Sequence, residues 1–311
     1  MPVAASERID AAIAELGDRA RRDEPLAPFT TYKVGGRADV FVHVTDPADL
    51  HGFGAAHHRC VLPVRSVGRG CNLLVADAGF GGIAVSLADM ATDIEIDSDA
   101  STVRAGSAVA LPVLARKLAT AGLTGFEWAV GVPGSIGGAV RMNAGGHGSD
   151  MSESLLDVEV FDLDAARDRV LTADELGLRF RGSDLAPTMV VVAARLQLAP
   201  GDPEAARREL NEIVAWRREN QPGGQNAGSV FVNPIPHELS AGELIDRVGL
   251  RGLRHGTATV SEKHANFIQA DAGGSADDVV ALMDIIGSRV AEETGYQLHS
   301  EIRLIGFEVH T

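Results

Sequence analysis

Three stretches of this chain carry residue types at spacings that chemistry would use. Gly131 to Gly148, GVPGSIGGAVRMNAGGHG, holds seven glycines in eighteen residues, and apart from His147 its only ionisable side chain is Arg141. Glycine lets main-chain N–H groups approach a ligand closely and take φ > 0, so such runs recognise with backbone and form nests around phosphates. A second run is VGRGCNLL, residues 67–74. Neither matches G-x-G-x-x-G, and no Walker A sequence is present, which disfavours a Rossmann nicotinamide domain and a P-loop. What remains is a dinucleotide or other diphosphate ligand held by two separate loops. The third stretch, NAGSVFVNP (226–234), sets Ser229 among small residues before an apolar run. It lacks the G-x-S-x-G context of a hydrolase nucleophile, so its hydroxyl suits proton donation better than attack; the plainer reading is a turn serine that caps a strand.

These stretches need elements to hold them. Ile9, Ile13 and Leu16 recur at helical spacing. Asp46-Pro47 reads as N-cap and N1 of a helix carrying Leu50 and Phe53. LPVRSVG runs as a strand into GRGCN and then into LLVA. IAVSL, DIEID and TVRAG have the pattern of β structure, and Leu111, Leu114 and Leu118 mark the next helix. LDVEVF alternates, Thr172 with Glu175 forms a capping box, and MVVVAARLQL reads as a buried strand. Asp202-Pro203 starts a charged helix that joins two units. Beyond it come a capping box at Ser240 and Glu243, the strand ANFIQA, a helix with Val279, Leu282, Met283, Ile286 and Val290 on one face, and a closing strand LHSEIRLIGF. The fold class this predicts is α+β with mixed sheets.

Composition narrows the function classes. A chain of 311 residues suits two or three compact units, and 45% apolar with 23% charged residues is ordinary for a globular protein. The formal net charge of −15 repels nucleic acid and anionic membranes, so an anionic ligand needs a local basic pocket. Cys60 and Cys71 supply neither a disulfide framework nor a metal motif, and no metal site is expected. No apolar leader and no membrane-spanning run stands in the sequence, which predicts a cytoplasmic protein.

Taken together, VGRGCNLLVAD, GFEWAVGVPGSIGGAVRMNAGG, NAGSVFVNP, AGELIDRVGLRG, VSEKHANFI and HSEIRLIG resemble, in order, the motifs of the UDP-N-acetylenolpyruvoylglucosamine reductase family, of its shorter type. The resemblance covers about Thr30 to Gly306. It implies a two-lobed FAD-binding domain of the PCMH/vanillyl-alcohol-oxidase type plus a C-terminal α+β substrate-binding domain. The expected division is a helix and linker over 1–29, lobe 1 over 30–105, lobe 2 over 106–203 and the substrate domain over 204–311. It also implies non-covalent FAD, NADPH as co-substrate, UDP-N-acetylglucosamine enolpyruvate as substrate, and a place in peptidoglycan precursor synthesis. Carried over residue by residue, Gly68, Arg69, Gly70, Cys71 and Asn72 would hold the FAD pyrophosphate, while Pro133, Gly134, Ser135 and Gly138 would line the flavin. Arg181 in RFRGSDL, Ser229 and Glu301 match the catalytic arginine, proton donor and glutamate. Asn233, Arg217, Arg218 and Lys263 are candidates for the UDP diphosphate.

The implied chemistry suits these residue types. Hydride addition to the terminal carbon of an enolpyruvyl ether leaves carboxylate-stabilised negative charge, which Arg181 would offset and Ser229 would quench by protonating the adjacent carbon. Glu301 would act through a shared proton, a role that calls for partial burial. With no separate nicotinamide domain, NADPH and the UDP-sugar are expected to use one pocket in turn. Two positions depart from the family: Phe180 stands where tyrosine is usual, and Cys71 where serine is usual. Alternative readings are an FAD-dependent oxidase on the same scaffold and a UDP-sugar or flavin-binding regulator without catalysis.

Overall fold

Ile9, Ile13 and Leu16 line one face of α1 (Ala5–Leu16) in the computed structural model, which describes residues 5–235 and 238–307. After β1 (Ala20–Pro25) and β2 (Arg37–His43), Asp46 accepts the Ala48 N–H at 2.8 Å and Asp49 accepts the Asp46 N–H at 3.1 Å. This reciprocal cap, with proline in the first turn, starts α2 (Pro47–Cys60) where the sequence predicts it. β3 (Val64–Ser66), β4 (Leu73–Val75) and β5 (Phe80–Ser86) come next. A four-stranded sheet takes the order β1-β2-β5-β3, and parallel pairing sets Val64 opposite Ile83.

Packing divides the chain into two units, each built from non-contiguous segments. The first takes the chain up to Arg22, then Val40–Arg69 and Gly82–Arg217; the second takes Asp23–Asp39, Gly70–Gly81 and everything from Arg218. In the first unit, β6 (Ile94–Asp97), β7 (Thr102–Gly106), α3 (Leu111–Thr120), α4 (Ile136–Met142), β8 (Leu155–Asp162), β9 (Arg167–Thr172), β10 (Met189–Gln197) and α5 (Pro203–Asn220) appear in turn. The strands pair antiparallel in the order β9-β8-β10-β7-β6. Their apolar positions, Val103, Val158, Val160, Ala194 and Leu196, form one core with Leu111, Leu114 and Leu118 of α3, Ala139 and Val140 of α4, and Leu210 and Ile213 of α5. α4 lies in the middle of the 131–148 glycine run, so that run is a helix framed by two loops.

The second unit adds α6 (Ala241–Arg247), β11 (Arg254–His255), β12 (Ala258–Val260), β13 (Ile268–Ala270), α7 (Ala276–Thr294) and β14 (Arg303–Ile305). Tyr32, Val34 and Leu74 from the early segments enter the core made by Leu244, Ile245, Ile268 and the Val279, Leu282, Met283, Ile286 and Val290 face of α7. β4 pairs in parallel with β14, Leu74 opposite Leu304. Ser275 caps α7 by accepting the Asp278 N–H at 3.1 Å, and the Asp77 carboxylate accepts those of Ala276 and Asp277 at 3.0 and 3.2 Å. No helix among the described residues is long and apolar enough to cross a membrane.

Three elements differ from their sequence reading. The Thr172–Glu175 capping box forms, yet it leads only into the single turn Asp174–Leu176, because Gly177 turns left-handed at φ +52°. The closing strand shrinks to β14, and Ser300 instead bridges Phe231. ANFIQA shortens to β13 because Asn266 is bound to the backbone of residues 230 and 231.

Candidate active site

In the first unit the two glycine loops meet. A Cβ on Gly68 would stand 2.8 Å from the Oγ of buried Ser135, and the Arg69 Nε donates to the Pro133 carbonyl at 3.2 Å. The Leu111 N–H binds the Gly134 carbonyl at 3.1 Å and the Ile136 N–H binds that of Val109 at 3.0 Å, which sets Ser135 opposite Ala110. The N–H groups of Gly68, Gly134 and Ser135 reach no protein acceptor among the described residues. Neither 66–72 nor 131–138 contains a carboxylate. Free backbone donors, glycine-close approach and no negative charge are what a pyrophosphate requires, so these loops fit FAD.

Arg181 sits at the tip of a two-residue hairpin. Arg179 and Gly182 exchange both backbone hydrogen bonds, at 3.0 and 3.1 Å, leaving Phe180 and Arg181 as the turn residues. Arg181 takes φ +52°, the left-handed region that glycine or asparagine usually fills. Its Nη2 donates to the Gly145 carbonyl at 3.0 Å, and its guanidinium lies 4.8 Å from the centre of the exposed Phe180 ring. The usual tyrosine is therefore replaced by a ring that keeps the cation–π contact and loses a hydroxyl.

In the second unit Ser229 and Glu301 are brought side by side. The Glu301 N–H binds the Val230 carbonyl at 2.8 Å and the Val232 N–H binds that of His299 at 2.9 Å, so 230–232 and 299–301 run as an antiparallel ladder. Both Ser229 and Glu301 are half-buried. Asn72 of the first glycine loop joins the same ladder: its Nδ2 donates to the Glu301 carbonyl at 3.3 Å, and its own carbonyl accepts the Arg303 N–H at 2.9 Å. On the far side, buried Asn266 closes a ring with Phe231. Its Oδ1 accepts the Phe231 N–H at 2.9 Å, its Nδ2 donates to the Phe231 carbonyl at 2.8 Å, and its carbonyl accepts the Val230 N–H at 2.9 Å. Sequence reading misses Asn266; its place in VSEKHANFI is the only signal. Gly70 and Cys71 belong to this unit too, and a Cβ on Gly70, at φ +60°, would lie 2.1 Å from the Phe29 carbonyl oxygen. Only glycine fits there.

The substrate candidates are spread. Arg217, half-buried on α5, donates to the Gly131 carbonyl. Exposed Lys263 reaches the carbonyl of Arg218, and the Asn233 Oδ1 accepts the Ala241 N–H at 3.1 Å where α6 begins. Burial, then the Arg217 charge, holds His147 below the usual imidazole range; burial, then Arg251, does the same to His264. Among the described residues no cluster of three or more His, Cys, Asp or Glu could hold a metal ion.

Comparison with known proteins meets this geometry from outside. Residues 38–166 match the family model of an FAD binding domain, and residues 220–305 match that of the UDP-N-acetylenolpyruvoylglucosamine reductase C-terminal domain. An α+β chain with that order of domains is an FAD-containing oxidoreductase. The UDP-N-acetylenolpyruvoylglucosamine reductase of Heliobacterium modesticaldum is 44% identical over 287 residues, which is 92% of this chain and 90% of that protein. That of Gloeobacter violaceus is 42% identical over 294 residues, 94% of this chain and 98% of the other. The crystal structure of the Thermus caldophilus enzyme aligns at TM-score 0.78 and 35% identity, covering 92% of this chain and 99% of that one. The chain belongs to the UDP-N-acetylenolpyruvoylglucosamine reductase family.

Proposed function

We propose that this protein reduces the enolpyruvyl ether of UDP-N-acetylglucosamine enolpyruvate to UDP-N-acetylmuramate with NADPH, in the cytoplasm, for peptidoglycan precursor synthesis. The observation that carries the reading, beside family membership, is the backbone ladder that sets Ser229 next to Glu301. Bound FAD supplies hydride acceptance from NADPH and hydride delivery to the terminal enolpyruvyl carbon. The N–H groups of Gly68, Gly134 and Ser135 hold its pyrophosphate, as backbone donors facing no competing carboxylate do. Arg181 stabilises the negative charge that spreads into the substrate carboxylate. Ser229 gives its proton to the adjacent carbon, and Glu301 polarises the carboxylate or a water through a shared proton. Arg217, Arg218, Lys263 and Asn233 are assigned to the UDP diphosphate.

The test is an absorption spectrum of the purified protein taken before NADPH, after it, and after the enolpyruvyl substrate. Flavin bands that bleach with NADPH and return with substrate in the absence of oxygen support the reading; bands that return only with oxygen would make the protein an oxidase. Steady-state rates are expected to give parallel double-reciprocal lines, as one pocket used in turn requires, and intersecting lines would rule out the shared pocket.

A further inference from the structure

Arg141 is the one charged side chain, histidine aside, of the glycine run, and the role assigned to that run leaves it unused. It stands in the last turn of α4 and is half-buried. Its Nη1 donates to the carbonyls of Leu185 and Ala186 at 3.0 and 3.3 Å, its Nη2 donates to that of Met189, and its own carbonyl accepts the Ser183 Oγ–H at 2.9 Å. All four contacts fall on the segment that returns from the Arg181 hairpin. The hairpin tip is tied to the same turn of chain, because the Arg181 Nη2 binds the carbonyl of Gly145. That turn is rigid in its own right. Asn143, at φ +38°, donates from Nδ2 to Asp150 at 3.1 Å and accepts the Ser152 N–H at 3.0 Å.

A non-glycine residue in the left-handed region costs roughly 1–2 kcal/mol, and such a conformation persists only where its surroundings over-determine it. Here the over-determining group is a planar fork whose donors reach three carbonyls spread over residues 185–189. A lysine ammonium, a single point charge, cannot span them. We propose that Arg141 is the positioning residue for Arg181, coupling the end of the flavin-facing helix α4 to the aim of the guanidinium that stabilises charge on the substrate. The inference rests on the role given to Arg181 above.

The holoenzyme tests it by stopped flow, with flavin reduction by NADPH and reoxidation by the enolpyruvyl substrate followed separately. Arg141→Lys is expected to retain flavin and to be reduced by NADPH within about two-fold of wild type. Reoxidation should slow by about 10–100-fold, the scale of a displacement near 1 Å. Arg181→Ala should slow reoxidation further, and Arg141→Lys/Arg181→Ala should be no slower than Arg181→Ala alone, since a residue acting only through its neighbour has nothing more to lose. Wild-type reoxidation in Arg141→Lys, equal slowing of both half-reactions, or multiplying losses in the double variant would each overturn the proposal. If Arg181→Ala reoxidises normally, the role of Arg181 falls, and this inference with it. Should Arg141→Lys not fold, Ser183→Ala carries the same test with a smaller loss confined to reoxidation.

Discussion

Glu301 gives its backbone N–H to the carbonyl of Val230, one residue beyond Ser229, at 2.8 Å. The residues proposed to move protons are thus registered by main chain, and neither side chain needs the other to hold its place. Ser229→Ala should therefore fold normally, bind flavin and be bleached by NADPH at close to the wild-type rate. Reoxidation by the enolpyruvyl substrate should slow by about 10²–10⁴, the usual loss for a positioned general acid. Ser229→Cys should recover part of it. Equal slowing of both half-reactions, or of neither, would return NAGSVFVNP to a structural turn.

Asn266 imitates a strand with its side chain. Its amide satisfies both polar groups of Phe231 in a place where water does not reach. Asn266→Ala removes both partners at once and leaves a buried donor and a buried acceptor, a cost of about 2–4 kcal/mol together. Urea unfolding of the two proteins measures it. A loss under about 1 kcal/mol would mean that the ladder of 230–232 with 299–301 holds without the bracket.

The two departures from the family motifs call for small effects. Phe180 is 60% exposed at the hairpin tip and touches Arg181 through its ring face. Phe180→Tyr adds a hydroxyl towards solvent, so turnover should stay within a few-fold. Cys71→Ser replaces a weak donor by a stronger one without adding volume, so flavin affinity, read by fluorescence titration, should hold or improve. A marked loss in either variant would show that this chain uses the loop differently from its relatives.

How much of this the sequence displays depends on the range of the contact. The Asp46-Pro47 start of α2 and the apolar face of α7 are local patterns, and the structure contains both. Thr172 and Glu175 also make their local bond, but the length of helix after a cap depends on the next residues, and Gly177 stops this one. Contacts that join distant segments leave no such trace. Nothing near Leu74 or Tyr32 announces that they enter the core of α7. Family motifs pick out both Asn72 and Glu301, yet their hydrogen bond spans 229 positions and ends on a backbone carbonyl, which side-chain types do not reveal. Arg141 reads as a lone charge in a glycine run because its acceptors are carbonyls, which every residue carries.

His264 gives the second unit a pH dependence. Its ring is half-buried, packs edge-on against Phe267 at 4.7 Å between centroids, and accepts the Asn266 N–H on Nδ1 at 3.3 Å. Burial first, and the Arg251 charge second, favour the neutral ring, so its pKa in the folded protein lies below the ordinary imidazole value of about 6.5. Between those two values the unfolded chain binds more protons than the native one, so this group's stabilisation is complete above about pH 6.5 and fades as pH falls towards the folded value. His147, also held low, acts in the same direction. Unfolding free energy from urea titrations should therefore decline from about pH 7.5 to 5.5, with a ceiling of about 1.4 kcal/mol per pH unit for one site. His264→Asn keeps an acceptor for the Asn266 N–H and removes the titrating ring, so it should flatten the slope in that window and leave only the share of His147. An unchanged slope in that variant would show that His264 is not held neutral by its surroundings.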